Sequence, residues 1–127
     1  MVKILFDENA SLTNNNFHKG INVTVRRGTK YMERLKPTDT ILLENLKGEY
    51  LGEGVVIQLI IGHITDIPEC VLVKEHDPKC RNIDGLLEVL KSCYNDSEIT
   101  KNEIVTAIVF RLTCSSGVGI VDSFVEK

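Results

Sequence analysis

Six basic side chains, Lys19, Arg26, Arg27, Lys30, Arg34 and Lys36, fall within residues 19–36, with Glu33 as the one acid among them. Guanidinium groups offer paired donors to a phosphate or a base edge, and ammonium groups follow a phosphate backbone. Arg26 and Arg27 therefore read as recognition residues, and Lys19, Lys30, Arg34 and Lys36 as backbone contacts. Tyr31, set among these cations, supplies a ring on which an unpaired base can stack. The run Ile-Asn-Val-Thr-Val-Arg over residues 21–26 alternates strictly. A strand here turns Ile21, Val23 and Val25 to the core and Asn22, Thr24 and Arg26 to the opposite face. The expected result is a polar platform, extended by Arg27, Gly28 and Lys30 in the following loop. The bland counterpart is a solvated strand whose cations pair with acids from elsewhere in the chain.

Charge elsewhere sharpens the expectation. The chain has 15 basic and 18 acidic residues, a net charge of −3 and a pI near 5.6. The basic stretch carries +5 and residues 37–127 carry −7, which predicts one basic surface on an acidic body. That distribution argues against a wholly basic binder of long duplexes and favours a short or single-stranded ligand held in one cleft.

Other chemistries find less support. His63, Cys70, His76 and Cys80 are soft ligands within eighteen residues, but their spacing matches no tight zinc finger. No metal is expected, Cys70 reads as a small buried hydrophobe and His76 as a surface turn residue beside Asp77-Pro78. Gly48, Gly52 and Gly54 precede a strand rather than a helix, so no phosphate loop or dinucleotide fingerprint is present and no cofactor is expected. No nucleophile elbow supports a hydrolytic triad. The four cysteines are widely and unevenly spaced. With an N-terminal apolar run that meets Asp7 and Glu8 too soon for a signal peptide, they suggest a cytosolic protein with reduced thiols. The longest apolar run, Val55 to Ile61, is far shorter than the ~20 residues that span a bilayer, so no membrane partner is expected.

The elements that must position these residues follow from periodicity. Strands are expected over 2–6, 21–27, 40–44, 55–64, 70–74, 104–112 and 118–125. The polar stretch 7–18 is a loop or a short N-terminal helix. Asn82 caps one clear helix, 83–94, whose Ile83, Leu86, Leu87, Leu90 and Tyr94 share a face. A chain of 127 residues, 43% hydrophobic, suits one domain that buries roughly two thirds of its unfolded surface. The pattern predicts a mainly β fold with helices (α+β), a small barrel of about five to seven strands with helical cover.

The order of elements resembles a known family. Lys19-Gly20, Asn22-Val23-Thr24-Val25-Arg26-Arg27-Gly28 and Leu35-Lys36-Pro37-Thr38-Asp39-Thr40-Ile41-Leu42-Leu43, followed by Leu86 to Leu90, Cys93-Tyr94 and Val105 to Leu112, are similar to the ASCH domain, named for activating signal cointegrator homology, within the PUA-like fold. The likeness covers residues 2–112, with 118–125 as a C-terminal extension. Two departures stand out: Asn22 or Ile21 occupies the place of the family's lysine, and Thr38-Asp39 that of its Gly-Asp pair.

The resemblance implies binding of RNA, single-stranded nucleic acid or a modified nucleotide in a cleft floored by Asn22, Thr24 and Arg26. Small bacterial members are amidohydrolases acting on an acylated cytidine, with a lysine, a threonine and a glutamate at the active site. Thr24 carries over by position as the weak catalytic candidate; Lys19 or Lys30 would supply the ammonium, and Glu69 or Glu75 the carboxylate. A second alternative is a protein-interaction module whose basic loop meets an acidic partner. The oligomeric state is left open.

Overall fold

The computed structural model describes residues 1–6 and 17–115; the expected strand over 118–125 and most of the polar stretch 7–18 lie outside them. Five strands are found among the described residues: β1 (Val2–Phe6), β2 (Ile21–Arg27), β3 (Thr40–Asn45), β4 (Tyr50–His63) and β5 (Ile104–Ser115). They form one mixed sheet in the order β1-β3-β4-β5-β2. The β1–β3 pair is parallel and the other three pairs are antiparallel. Helices α1 (Lys30–Arg34), α2 (Glu69–Leu72) and α3 (Ile83–Cys93) complete the α+β architecture, with short 3-10 turns at Ile64–Asp66 and Pro78–Cys80. Among the described residues no helix is long and apolar enough to cross a membrane.

The sheet is buried on both faces. Alternate residues of β5 go to two separate cores: Ile108, Phe110 and Leu112 to one, Val105, Ala107 and Val109 to the other. Ile4, Phe6, Ile41, Leu43, Leu51 and Val56 join the first core, closed by Tyr31 and Leu35 around α1. Leu72 of α2 and Leu86 and Leu90 of α3 cover the second, against Val23 and Val25 of β2. Asn82 caps α3 as expected, its Oδ1 accepting from the Gly85 N–H at 2.8 Å, which satisfies one of the donors orphaned at a helix start.

Four local expectations are corrected. Residues 70–74 do not form a strand: Pro68 precedes a helical turn at Glu69–Leu72, where proline's fixed φ and missing N–H suit a helix start. Cys70 on that turn is exposed, not buried. The stretch after β2 is not all loop either, since Lys30 to Arg34 closes into α1. In addition, β4 begins at Tyr50, so the glycine-rich 51–54 segment is strand, paired with β3.

Thr38, where the related pattern has glycine, holds φ +79°. A β-branched residue in this left-handed region is strained by about 1–2 kcal/mol. The Thr38 N–H donates to the Val56 carbonyl at 2.8 Å and holds the turn there. Glycine relieves the strain but loses more chain entropy on folding, about 0.5–1 kcal/mol. Thr38→Gly is therefore expected to raise stability by about 0.5–1 kcal/mol, read as a higher midpoint in urea; a lower midpoint would refute the strain.

Candidate functional site

On β2 the two faces separate as the alternation demands, yet the polar face is not a solvated platform. Asn22 and Thr24 are buried, 0% and 1% exposed, because the curled sheet brings other residues over them. Asn22 spends its amide on the backbone: the His18 N–H donates to its Oδ1 at 2.8 Å and its Nδ2 donates to the His18 carbonyl at 2.8 Å. It thereby fixes how the chain enters β2. Thr24 Oγ1 accepts from Arg26 Nε at 3.0 Å, and Arg26 Nη1 donates to the Leu5 carbonyl at 2.7 Å. The same guanidinium lies over the Phe6 ring, 4.9 Å from its centroid. Arg26 thus ties β2 to β1 while two hydrogen bonds use only part of its five donors.

Against this strand lies a segment that local sequence reading misses. Glu75, 2% exposed, bridges to Val23 in parallel register. Its Oε2 accepts from the Val25 N–H at 2.9 Å and its Oε1 from the Asp77 N–H at 3.0 Å. His76 Nδ1 stands 2.9 Å from Glu75 Oε1. The ring of His76 stacks on Phe17 at 5.0 Å and meets Phe6 edge-on at 4.8 Å, so it is a packed residue rather than a surface one. Arg81 Nε donates to the Glu75 carbonyl at 2.8 Å, and Arg81 Nη2 approaches His18 Nε2 at 3.3 Å. Burial, with Arg81 and Lys74 nearby, holds the His18 pKa below its usual value. Its imidazole is therefore neutral at pH 7 and its Nε2 free to accept from Arg81. The one local signal for this corner is Asp77-Pro78: Asp77 Oδ1 caps the turn Pro78–Cys80 through the Lys79 N–H at 2.9 Å. Nothing local reveals that the corner reaches β2. Burial and the carboxylates of Glu75 and Asp77 raise the Cys80 pKa, which leaves that thiol inert.

The remaining basic residues divide. Arg27 points to the opposite side from Arg26, donating through Nε to Glu103 at 2.6 Å and through Nη2 to Asp96 at 2.9 Å. It also lies 5.7 Å from the Tyr94 ring centroid. The hydrogen bonds to Glu103 and Asp96 raise its pKa, and Asp96 is held low by the Glu98 N–H and by Arg27. Lys36 pairs with Asp39 at 2.8 Å. Lys30 sits 5.2 Å from the ring centroid of Tyr31, and that ring is only 8% exposed, set into the first core rather than offered to a base. Arg34 lines a shallow depression with Lys3, Asp39 and Thr40, and Lys19 is exposed just before β2. Of the two glutamates, Glu75 and not Glu69 is the one against the strand of Thr24; Glu69 is exposed on α2.

No family model matches the sequence, and no curated protein does. Solved structures do. The crystal structure of an ASCH domain from Lactobacillus crispatus superposes with a TM-score of 0.61 at 7% identity, over 89% of this chain and 80% of that one. That of a DUF984 protein from Enterococcus faecalis gives 0.55 at 10% identity, over 83% of this chain and 65% of the Enterococcus chain. The chain described here thus has the fold of an ASCH domain.

Proposed function

We propose that the chain binds a short single-stranded RNA or a modified nucleotide on the face where Arg26 emerges over Phe6, whose ring packs against His76. One observation carries this reading. Among the described residues, Arg26 pairs with no carboxylate, and its guanidinium is pre-oriented by Thr24, Leu5 and Phe6 with donors to spare. A half-exposed guanidinium held in place with donors to spare suits a phosphate oxygen or a base edge. The amidohydrolase reading gains Glu75 but lacks a base. The group on the Thr24 hydroxyl is the Arg26 guanidinium, which does not give up its proton at neutral pH.

The test separates Arg26 from Arg27. In fluorescence anisotropy with a labelled oligoribonucleotide, Arg26→Ala is expected to weaken binding roughly 10- to 100-fold, the equivalent of ~1.5–3 kcal/mol for hydrogen bonds to a charged group. Arg27→Ala is expected to leave affinity almost unchanged while lowering the thermal midpoint, by less in high salt than in low. Wild-type binding should fall steeply as salt rises. Binding that ignores salt, or that survives Arg26→Ala, would overturn the proposal.

A further inference from the structure

A free stretch of sheet edge lies two strands from Arg26, with Ile61 level with Thr106 of β5 and Thr106 level with Arg26. Strand β4 pairs with β3 only over residues 50–55, and the last contact on that side is at Val56, whose N–H and carbonyl meet Asp39 and Thr38. On its other side β4 runs on against β5 as far as His63. Residues 57–63 therefore have one edge with no strand beside it among the described residues, roughly 24 Å long at about 3.4 Å per residue.

The sheet's β2 margin is covered by the chain itself. The β2 edge takes Glu75 and its neighbours, with the Val23 N–H donating to the Lys74 carbonyl and the His76 N–H to the Val23 carbonyl. The side chain of Arg26 reaches the β1 carbonyl of Leu5. From Ile57 to Gly62 the edge carries no lysine, proline or acid, the devices that normally keep such an edge from pairing; at His63 the Asp66 carboxylate takes the N–H at 3.3 Å and ends the open stretch. Its exposed side chains include Ile57 (39%) and Ile61 (42%).

We infer that residues 58–62 pair in antiparallel fashion with the same residues of a second copy of this chain, across a twofold axis at Ile60. This register sets Leu59 against Ile61 of the other copy and Gln58 against Gly62, and stops short of His63, whose N–H is held by Asp66. With no formal charge on the strand from Gly54 to Gly62, two copies meet without like charges opposed, which antiparallel pairs penalise. The axis makes one uncharged apolar edge complementary to itself, as a twofold interface requires. An interface of this length is weak and concentration-dependent.

Sedimentation velocity on the full chain, from roughly 1 μM to 1 mM, the range over which a weak dimer changes population, tests the inference. The wild type is expected to shift from monomer to dimer. Hydrogen exchange should show the amides of Leu59 and Ile61, which face the free edge, slowing as concentration rises. Ile61→Lys and, independently, Gln58→Lys should remain monomeric with unchanged circular dichroism, while Val73→Lys, an equally exposed site after α2 (45%), should dimerise like wild type. A chain that stays monomeric throughout, a dimer whose Leu59 and Ile61 amides exchange at the monomer rate, or a dimer untouched by both edge lysines would overturn it.

Discussion

Glu75→Ala is expected to lower the unfolding free energy by roughly 2–4 kcal/mol, since each backbone donor left without its acceptor costs ~1–3 kcal/mol when buried. The donors are known: the N–H of Val25, inside the second core, and that of Asp77, partly covered. Against a typical total of ~5–15 kcal/mol this is a large fraction, and at about 4 °C per kcal/mol it shifts the melting midpoint by roughly 8–16 °C. Glu75→Gln should retain one accepting oxygen and lose about half as much. Glu69→Ala, on the exposed face of α2, is the control and should change little. The same substitution also frees the 75–81 corner, so His76 and Arg81 lose their register against β2 and ligand affinity should fall with stability. Urea unfolding with exchange measured at the Val25 amide decides it. A Glu75→Ala protein within ~1 kcal/mol of wild type would show that the corner does not depend on this carboxylate.

What made the fold legible was periodicity. The alternation of 21–27 and the helical spacing of 83–93 both lie within one element, so each could be read locally, and the structure has both. The polar face of β2 misled for a physical reason. In an open sheet Asn22 and Thr24 would face water, but a curled sheet has an inside, and these two are sealed there by bonds to His18 and Arg26. Contacts between distant parts of the chain were the hidden part. Arg27 looked like a ligand contact because Asp96 and Glu103, its partners, lie 69 and 76 residues away. The Glu75 corner was invisible for the same reason: it meets β2 across fifty residues. Of the basic cluster, the element with a free guanidinium face is Arg26, whose strand position was readable even though its supports were not.

Phe110→Ala is expected to be among the most damaging single changes, at about 3–5 kcal/mol for a fully buried aromatic truncated in a packed core. The ring is 0% exposed, between β2 and β4, where Phe110 is opposite Asn22 on one side and Val56 on the other. Its position also explains a glycine. A Cβ on Gly54 would stand 2.9 Å from Phe110 Cδ2, closer than real Cβ atoms approach, and 3.0 Å from the Arg111 carbonyl oxygen, tighter than most Cβ contacts. Gly54 is therefore the floor on which the ring rests, and no unusual backbone angle is needed to account for it. Gly54→Ala alone should cost about 1–3 kcal/mol through overpacking. Combined with Phe110→Ala, the added methyl enters the space left by the ring, so the double variant should be more stable than the sum of the singles by ~0.5–1.5 kcal/mol, the size of coupling expected between touching residues. The Arg111 carbonyl remains in place and keeps the rescue incomplete. Four urea titrations close this cycle. Additive effects would mean that the sheet, and not the ring, sets the space at Gly54, and that β4 can shift against β5 without disturbing the first core.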